Sequence, residues 1–226
     1  MCGIGGILDP KRSRSEDQTR RLLDLMSVPM RMRGPDAADT WVDERAGIGF
    51  CHRRLAVVDL SKHGAQPMTS TNGRWVLTYN GEIYNHREIA SELGASGVRL
   101  RGHGDHEDRV EAIDQWGVNS TLDRIDGMFA FGLWDRDQRR LTLVRDRMGE
   151  KPLYYGWQGI GNKRVFLFGS ELKALKAHPA FAVEIDRGAL CLLLRHNYIP
   201  APYSIYQGIA KLEPGCLLSV SLVQPE

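Results

Sequence analysis

Apolar residues along the chain gather in short runs bounded by turn formers, and only a few segments carry helical spacing. Residues 3–8, 48–51, 55–60, 75–79, 128–134, 141–145, 153–157 and 165–168 are rich in aliphatic and aromatic side chains and read as strands. The polar stretch Asp135-Arg136-Asp137-Gln138 lies between two of them and predicts a hairpin turn. Helical spacing over 16–26 puts Leu22, Leu23 and Met26 on one face, and 86–93 follows Asn85, an N-cap residue type, with Ile89 and Leu93 on one stripe. Residues 107–116 align Val110, Ile113 and Trp116, a short helix opens at 170–173 and closes before Pro179, and 187–196 forms a leucine-rich one. Strands outnumber helices and often follow one another directly. That order predicts an α+β fold with stacked, largely antiparallel sheets flanked by helices. Beyond Tyr198 the prolines Pro200, Pro202 and Pro214 read as a connecting segment.

A chain of 226 residues, 42% hydrophobic, is long enough to enclose a sizeable core as one large domain or two small ones. Its 30 Lys+Arg and 28 Asp+Glu leave a net charge of +2, without the concentrated basic footprint that nucleic-acid binding needs. No run of roughly 18 apolar residues could span a bilayer, and the N-terminus lacks a basic n-region, so the expected location is the cytoplasm, away from membranes. Cys2, Cys51, Cys191 and Cys216 lie far apart with no CxxC pair, which argues against a disulfide framework or a zinc knuckle. Gly3-Ile4-Gly5-Gly6 misses the third glycine of a dinucleotide fingerprint, and no GxxxxGK[ST] loop occurs. The stretch Gly102-His103-Gly104-Asp105-His106-Glu107-Asp108 imitates a metal site, but it lacks HExxH spacing and reads better as a loop entering a helix. A carboxylate from it could hold a substrate ammonium.

Cys2 is a candidate for chemistry, although a cysteine at position 2 also reads as an accident of sequence. Removing Met1 would put a thiol and a free α-amine on one residue, and an α-amine with a pKa of about 7.7–8.0 can take the thiol proton at neutral pH. The chain begins at Met1, so the amine is Met1's until that residue is cut away. An acyl-transfer nucleophile needs donors for the oxyanion it creates. Asn80-Gly81, directly after a predicted strand, offers a side-chain amide beside a glycine N–H, although the same pair also reads as a plain turn. Arg54, heading an apolar run, can clamp a carboxylate in bidentate fashion or serve as an ordinary strand-end cation.

Met1-Cys2-Gly3-Ile4, Arg33-Gly34-Pro35-Asp36, Arg54-Leu55-Ala56-Val57-Val58-Asp59, Gly64-Ala65-Gln66-Pro67-Met68, Asn80-Gly81-Glu82-Ile83-Tyr84-Asn85, Asp126-Gly127-Met128-Phe129-Ala130-Phe131, and Arg145-Asp146-Arg147 with Lys151-Pro152-Leu153-Tyr154-Tyr155 occur in colinear order. Together they closely resemble the glutaminase domain of class II glutamine amidotransferases, in the glutamine-hydrolysing asparagine synthetase branch. The resemblance implies an N-terminal-nucleophile hydrolase sandwich of two antiparallel sheets between helical layers. It implies Cys2 as the nucleophile, Asn80 and Gly81 as the oxyanion hole, and Arg54 on the glutamine α-carboxylate with Leu55, Ala56, Val57 and Val58 alongside. Glu82 and Asp105 would hold the α-ammonium.

Several positions depart from the pattern: Met32, the neighbours Gly104, His106, Asp108 and Arg109 of Asp105, and Met148 and Glu150. Burying Asp108 or Arg109 without a partner would cost several kcal/mol, so both are expected to be exposed or paired. The resemblance covers residues 2–215, with 216–226 as the start of a connection to an ATP-dependent synthetase domain. ATP and Mg would belong to that domain, and no cofactor or metal is expected in this one. The expected substrate is glutamine, the expected partner is the C-terminal synthetase domain that turns aspartate into asparagine, and a homodimer is an open alternative. Other readings are an amidotransferase domain serving a β-lactam or cell-envelope sugar acceptor, and a catalytically silent regulatory domain.

Overall fold

Ile4 and Leu8 stand on one side of the first strand and Ile7 on the other, so that its two faces serve two different cores. This strand, β1 (Gly3–Leu8), turns Ile4 and Leu8 into a layer shared with Phe50, Val76, Trp134 and Phe168, while Ile7 points the other way towards Leu23, Met26 and Leu175. In the computed structural model, described for residues 1–57, 64–98 and 107–222 (with side chains of 107–109 excluded), β1 is paired on both sides. Its sheet holds β2 (Ala37–Asp43), β3 (Ile48–Arg54), β8 (Tyr154–Gln158), β9 (Val165–Gly169) and β10 (Ala210–Lys211), in the order β10-β8-β9-β1-β3-β2. A second sheet runs β11-β7-β6-β5-β4, from β4 (Met68–Thr69), β5 (Trp75–Ile83), β6 (Gly127–Asp135), β7 (Arg140–Arg145) and β11 (Leu217–Ser221). Every pairing is antiparallel.

The sheets stack face to face, and helices cover their outer faces. Helix α1 (Glu16–Ser27) starts with a reciprocal capping box between Ser15 and Gln18, and packs with α5 (Leu172–Lys176) on the first sheet. Helices α2 (His86–Ala95), α3 (Glu107–Trp116) and α4 (Val118–Arg124) cover the second, burying Ile89, Leu93, Val110 and Ile113 against Leu77, Tyr79 and Phe131. The leucine-rich helix is α6 (Arg187–His196), capped by the Asp186 side chain on Ala189 N–H. Asn85 precedes α2 but does not cap it. Its amide instead donates to Arg124 O at 2.8 Å and accepts Asp126 N–H at 2.9 Å, tying the exit of β5 to the entry of β6.

The α+β sandwich matches expectation, with four local differences. Strand β5 does not stop at Tyr79 but continues through Asn80 and Gly81 to Ile83. Residues 55–57 are irregular rather than extended, and 58–60 lie outside the described residues. Residues 217–221, expected in a connection, instead form β11, an edge strand in register with β7, so the sandwich includes them. Helix α4 and the short or edge strands β2, β4 and β10 carry too little apolar periodicity to be read from sequence. The predicted 135–138 turn does close a hairpin: Asp135 accepts N–H groups of Asp137 and Gln138 and a bidentate pair from Arg74 at 2.7 and 3.0 Å.

Candidate active site

Strand register places Cys2. Gly3 pairs with Arg53 and Ile4 with His52, so Cys2 stands opposite Arg54 at the end of β3. Side chains alternate along a strand, so Cys2 and Arg54 continue the row of Ile4 and His52 that faces the second sheet. The Cys2 Sγ accepts Leu55 N–H at 3.4 Å and lies 3.8 Å from Leu55 O. Cys2 is partly accessible.

The Arg33-Gly34-Pro35-Asp36 turn organises this corner. Asp36 donates its N–H to Arg54 O at 3.1 Å and accepts Ala56 N–H on its carboxylate at 2.8 Å, fixing residues 54–56 after the ladder has ended. Gly34 lies flat on that backbone, where a Cβ would come within 2.6 Å of Arg54 N. Arg33 Nε donates to Cys2 O at 2.9 Å and Nη1 pairs with Glu171 at 3.3 Å, while its buried Nη2 has no partner among the described residues.

Across the interior, His52 Nε2 lies 3.2 Å from Tyr79 O, joining β3 to β5 one residue before Asn80. Asn80 shares the inner face with Val76 and Thr78 and is 1% exposed, yet its Nδ2 has no partner among the described residues. Gly81 pairs with Phe129, whose N–H and C=O are both committed to Asp146 on the far side of β6. That makes Gly81–Phe129 a non-hydrogen-bonded pair and turns the Gly81 N–H away from β6, the direction in which Tyr79 N–H meets Gln66 Oε1 at 2.6 Å. A Cβ at Gly81 would collide with Met128 O and come within 2.6 Å of Phe129 Cα, so only glycine fits. Two adjacent donors, one buried and unsatisfied, therefore follow directly on the residue whose carbonyl meets His52 of β3.

Glu82 follows, exposed, with its carboxylate near Tyr84. Partial desolvation and the carboxylates Glu150, Glu82 and Asp146 push the Tyr84 phenol above its ordinary pKa. This rim is electronegative, suited to an ammonium, whereas Arg54 supplies the opposite charge. Leu55 and Ala56 are half-buried beside Cys2 and Val57 is exposed. Val58 and Asp105 lie outside the described residues, as do the side chains of Asp108 and Arg109. No group of His, Cys, Asp and Glu among the described residues could hold a metal ion.

Sequence reasoning quoted Arg145-Asp146 and Lys151 without assigning them a part. Asp146, 1% exposed, accepts N–H groups from Phe129, Met148, Glu150 and Lys151, and Arg145 donates to the carbonyls of Gly149, Lys151 and Leu212. These bonds hold a rigid loop whose Lys151 reaches the N-terminus, with Nζ 3.3 Å from Met1 Sδ. The inward direction of His52 follows only from the register with Ile4 and carries no signal in the sequence pattern.

Compared with known sequences, residues 1–224 match the profile of the glutamine amidotransferase domain. The chain belongs to that family. The amidotransferase domain is 34% identical over 224 residues to asparagine synthetase [glutamine-hydrolyzing] 3 of Bacillus subtilis, covering 98% of this chain and 35% of that protein. It is 37% identical over 235 residues to a putative asparagine synthetase [glutamine-hydrolyzing] of Mycobacterium bovis, covering 97% and 35%. It thus spans about a third of the length of these relatives. Among solved structures, the allosteric regulatory enzyme of purine biosynthesis superposes with a TM-score of 0.70 at 16% identity over 97% of this chain and 47% of that one. Glutamine phosphoribosylpyrophosphate amidotransferase of B. subtilis gives 0.62 at 17%, again over 97% and 47%. At such identities the likeness establishes the fold: this amidotransferase domain is an antiparallel sandwich of the same architecture. No described helix is long and apolar enough to cross a membrane.

Proposed function

We propose that the domain hydrolyses glutamine once Met1 is removed, with Cys2 as nucleophile. The freed α-amine of Cys2 takes the thiol proton, and Sγ attacks the side-chain amide carbon of glutamine. The oxyanion of the tetrahedral adduct is met by Asn80 Nδ2 and Gly81 N–H. The protonated amine then returns its proton to the departing nitrogen, giving ammonia and a Cys2 thioester. Water activated by the same amine releases glutamate. Arg54 takes the α-carboxylate, residues Leu55 to Val58 line the bound chain, and Glu82 with Asp105 hold the α-ammonium. The observation that carries this reading is Asn80: a buried amide without a partner costs free energy unless something is meant to occupy it.

In the longer chain that the relatives point to, the ammonia passes to an ATP-dependent synthetase domain that forms asparagine from aspartate, in the cytoplasm. The relatives' own names support that acceptor. Intact mass of the purified chain is expected to show loss of one methionine, and the trimmed chain to release glutamate and ammonia from glutamine. Cys2→Ala is expected to abolish release and covalent capture by diazo-oxo-norleucine with an unchanged circular-dichroism spectrum. Turnover by that variant at the wild-type rate would overturn the assignment.

A further inference from the structure

Lys151, 5% exposed, is the only buried lysine among the described residues, and its backbone is fixed from both sides. Its N–H donates to Asp146 at 3.0 Å and its C=O accepts Arg145 at 2.9 Å. The ammonium has no ion pair among the described residues, and its hydrogen-bond partner is the Met1 thioether at 3.3 Å, a weak acceptor. Cleavage of Met1 removes that partner and leaves a new amine on Cys2 nearby. From Met1 Sδ to Cys2 N is five bonds, so the new amine starts within about 10 Å of Lys151 Nζ.

Other charges at this corner are already engaged. Arg33 is shared between Cys2 O and Glu171, and Glu171 also meets Lys173. Asp146 is saturated by four backbone N–H groups, and Arg145 by three carbonyls. Arg54 stands opposite Cys2, Glu82 and Glu150 lie out at the Tyr84 rim, and Tyr154 is held near Arg145 and Glu171.

We propose that Lys151 is a positioning residue which, through its buried positive charge, keeps the α-amine of mature Cys2 unprotonated at neutral pH and so available as the base. This rests on the reading of Cys2 as nucleophile. A like charge disfavours the protonated amine and lowers its pKa. At about 10 Å and an effective dielectric of roughly 20–40, the lowering is roughly half to just over one pH unit.

The test is the pH dependence of inactivation of the trimmed chain by diazo-oxo-norleucine, for wild type, Lys151→Met, Lys151→Gln and Lys151→Arg. The wild-type midpoint is expected below the ordinary α-amino range of about 7.7–8.0. In Lys151→Met and Lys151→Gln it is expected to rise by roughly half to one pH unit with the alkaline plateau kept within about twofold, and Lys151→Arg is expected to keep the wild-type midpoint. Gln retains chain length and hydrogen bonding if Met disturbs folding. A lower plateau with an unmoved midpoint would mean a structural role and overturn the proposal, as would a wild-type midpoint at or above the ordinary range. Absence of labelling in wild type at every pH would instead remove the Cys2 reading itself.

Discussion

Replacing Asn80 by alanine separates function from stability, and the structure fixes the sign of each. Most buried polar side chains lose a hydrogen bond on truncation and leave a partner stranded. Asn80 Nδ2 has no such partner among the described residues. An unsatisfied buried donor costs about 1–3 kcal/mol, and Asn80→Ala relieves that cost. Against it stands the space left by the lost amide; at about 24 cal/mol per Å³, some 30–40 Å³ costs roughly 1 kcal/mol. The difference is zero to about 2 kcal/mol in favour of the variant, so melting is expected to stay where it is or to rise by up to about 8 °C, given about 2–4 °C per kcal/mol for a chain of this size. Catalysis should respond very differently. Losing one oxyanion donor typically lowers kcat by about 10²–10³-fold, or about 2.7–4 kcal/mol. KM should change little, because the donor acts on charge that exists only in the transition state. Calorimetry and a coupled glutamate assay on the same preparation read both quantities. A variant that unfolds more than about 8 °C earlier, or keeps kcat within tenfold of wild type, would refute the assignment of Asn80 as an unsatisfied donor awaiting an oxyanion.

Gly81→Ala drives a Cβ into Met128 O and Phe129, so it should lower the melting temperature by several degrees as well as abolish turnover; equal stability would contradict the strand pairing. Burial pushes the Asp135 carboxyl up, but the Arg74 guanidinium and the N–H groups of Gln138 and Asp137 outweigh it and hold it below the ordinary carboxylate range. A depressed carboxylate contributes stability that is present above its unfolded pKa and lost as pH falls through the folded one. Stability should therefore decline as pH drops below about 4, and Asp135→Asn, compared by urea melts at pH 7 and pH 3, should lose more at pH 7. Burial, the largest influence, and the nearby Asp24 push the Cys51 thiol up to about 12, so thiol-reactive probes at pH 8 should modify exposed Cys191 and Cys216 in the native protein and leave Cys51 untouched, as peptide mapping would show.

Much of the sandwich was legible because its central strands are short apolar runs buried on both faces. Gly3–Leu8 and Glu107–Trp116 run as the apolar pattern draws them. The pattern failed where tertiary pairing replaced local preference. Asn-Gly is a turn signature in isolation, yet here it lies within β5, because Gly81 fits over the β6 backbone where any side chain would collide. Residues 55–57 are apolar enough for a strand but are held by Asp36 and the Cys2 sulfur instead of by a ladder. Cys2, Arg54 and Asn80 could be picked out by residue type and motif. The contacts of His52 and Lys151 could not, since they join residues 27 and 150 positions apart.

A polypeptide terminus is ordinarily the first part of a domain to fray. Here the N-terminal residues run straight into β1, flanked by β9 and β3 in the middle of a six-stranded sheet. Amide protons from Ile4 to Leu8 should therefore rank among the slowest to exchange with deuterium, opening only with the whole sandwich. The Cys2 sulfur is thus mounted on one of the stiffest anchors the molecule offers, next to a strand held on both edges.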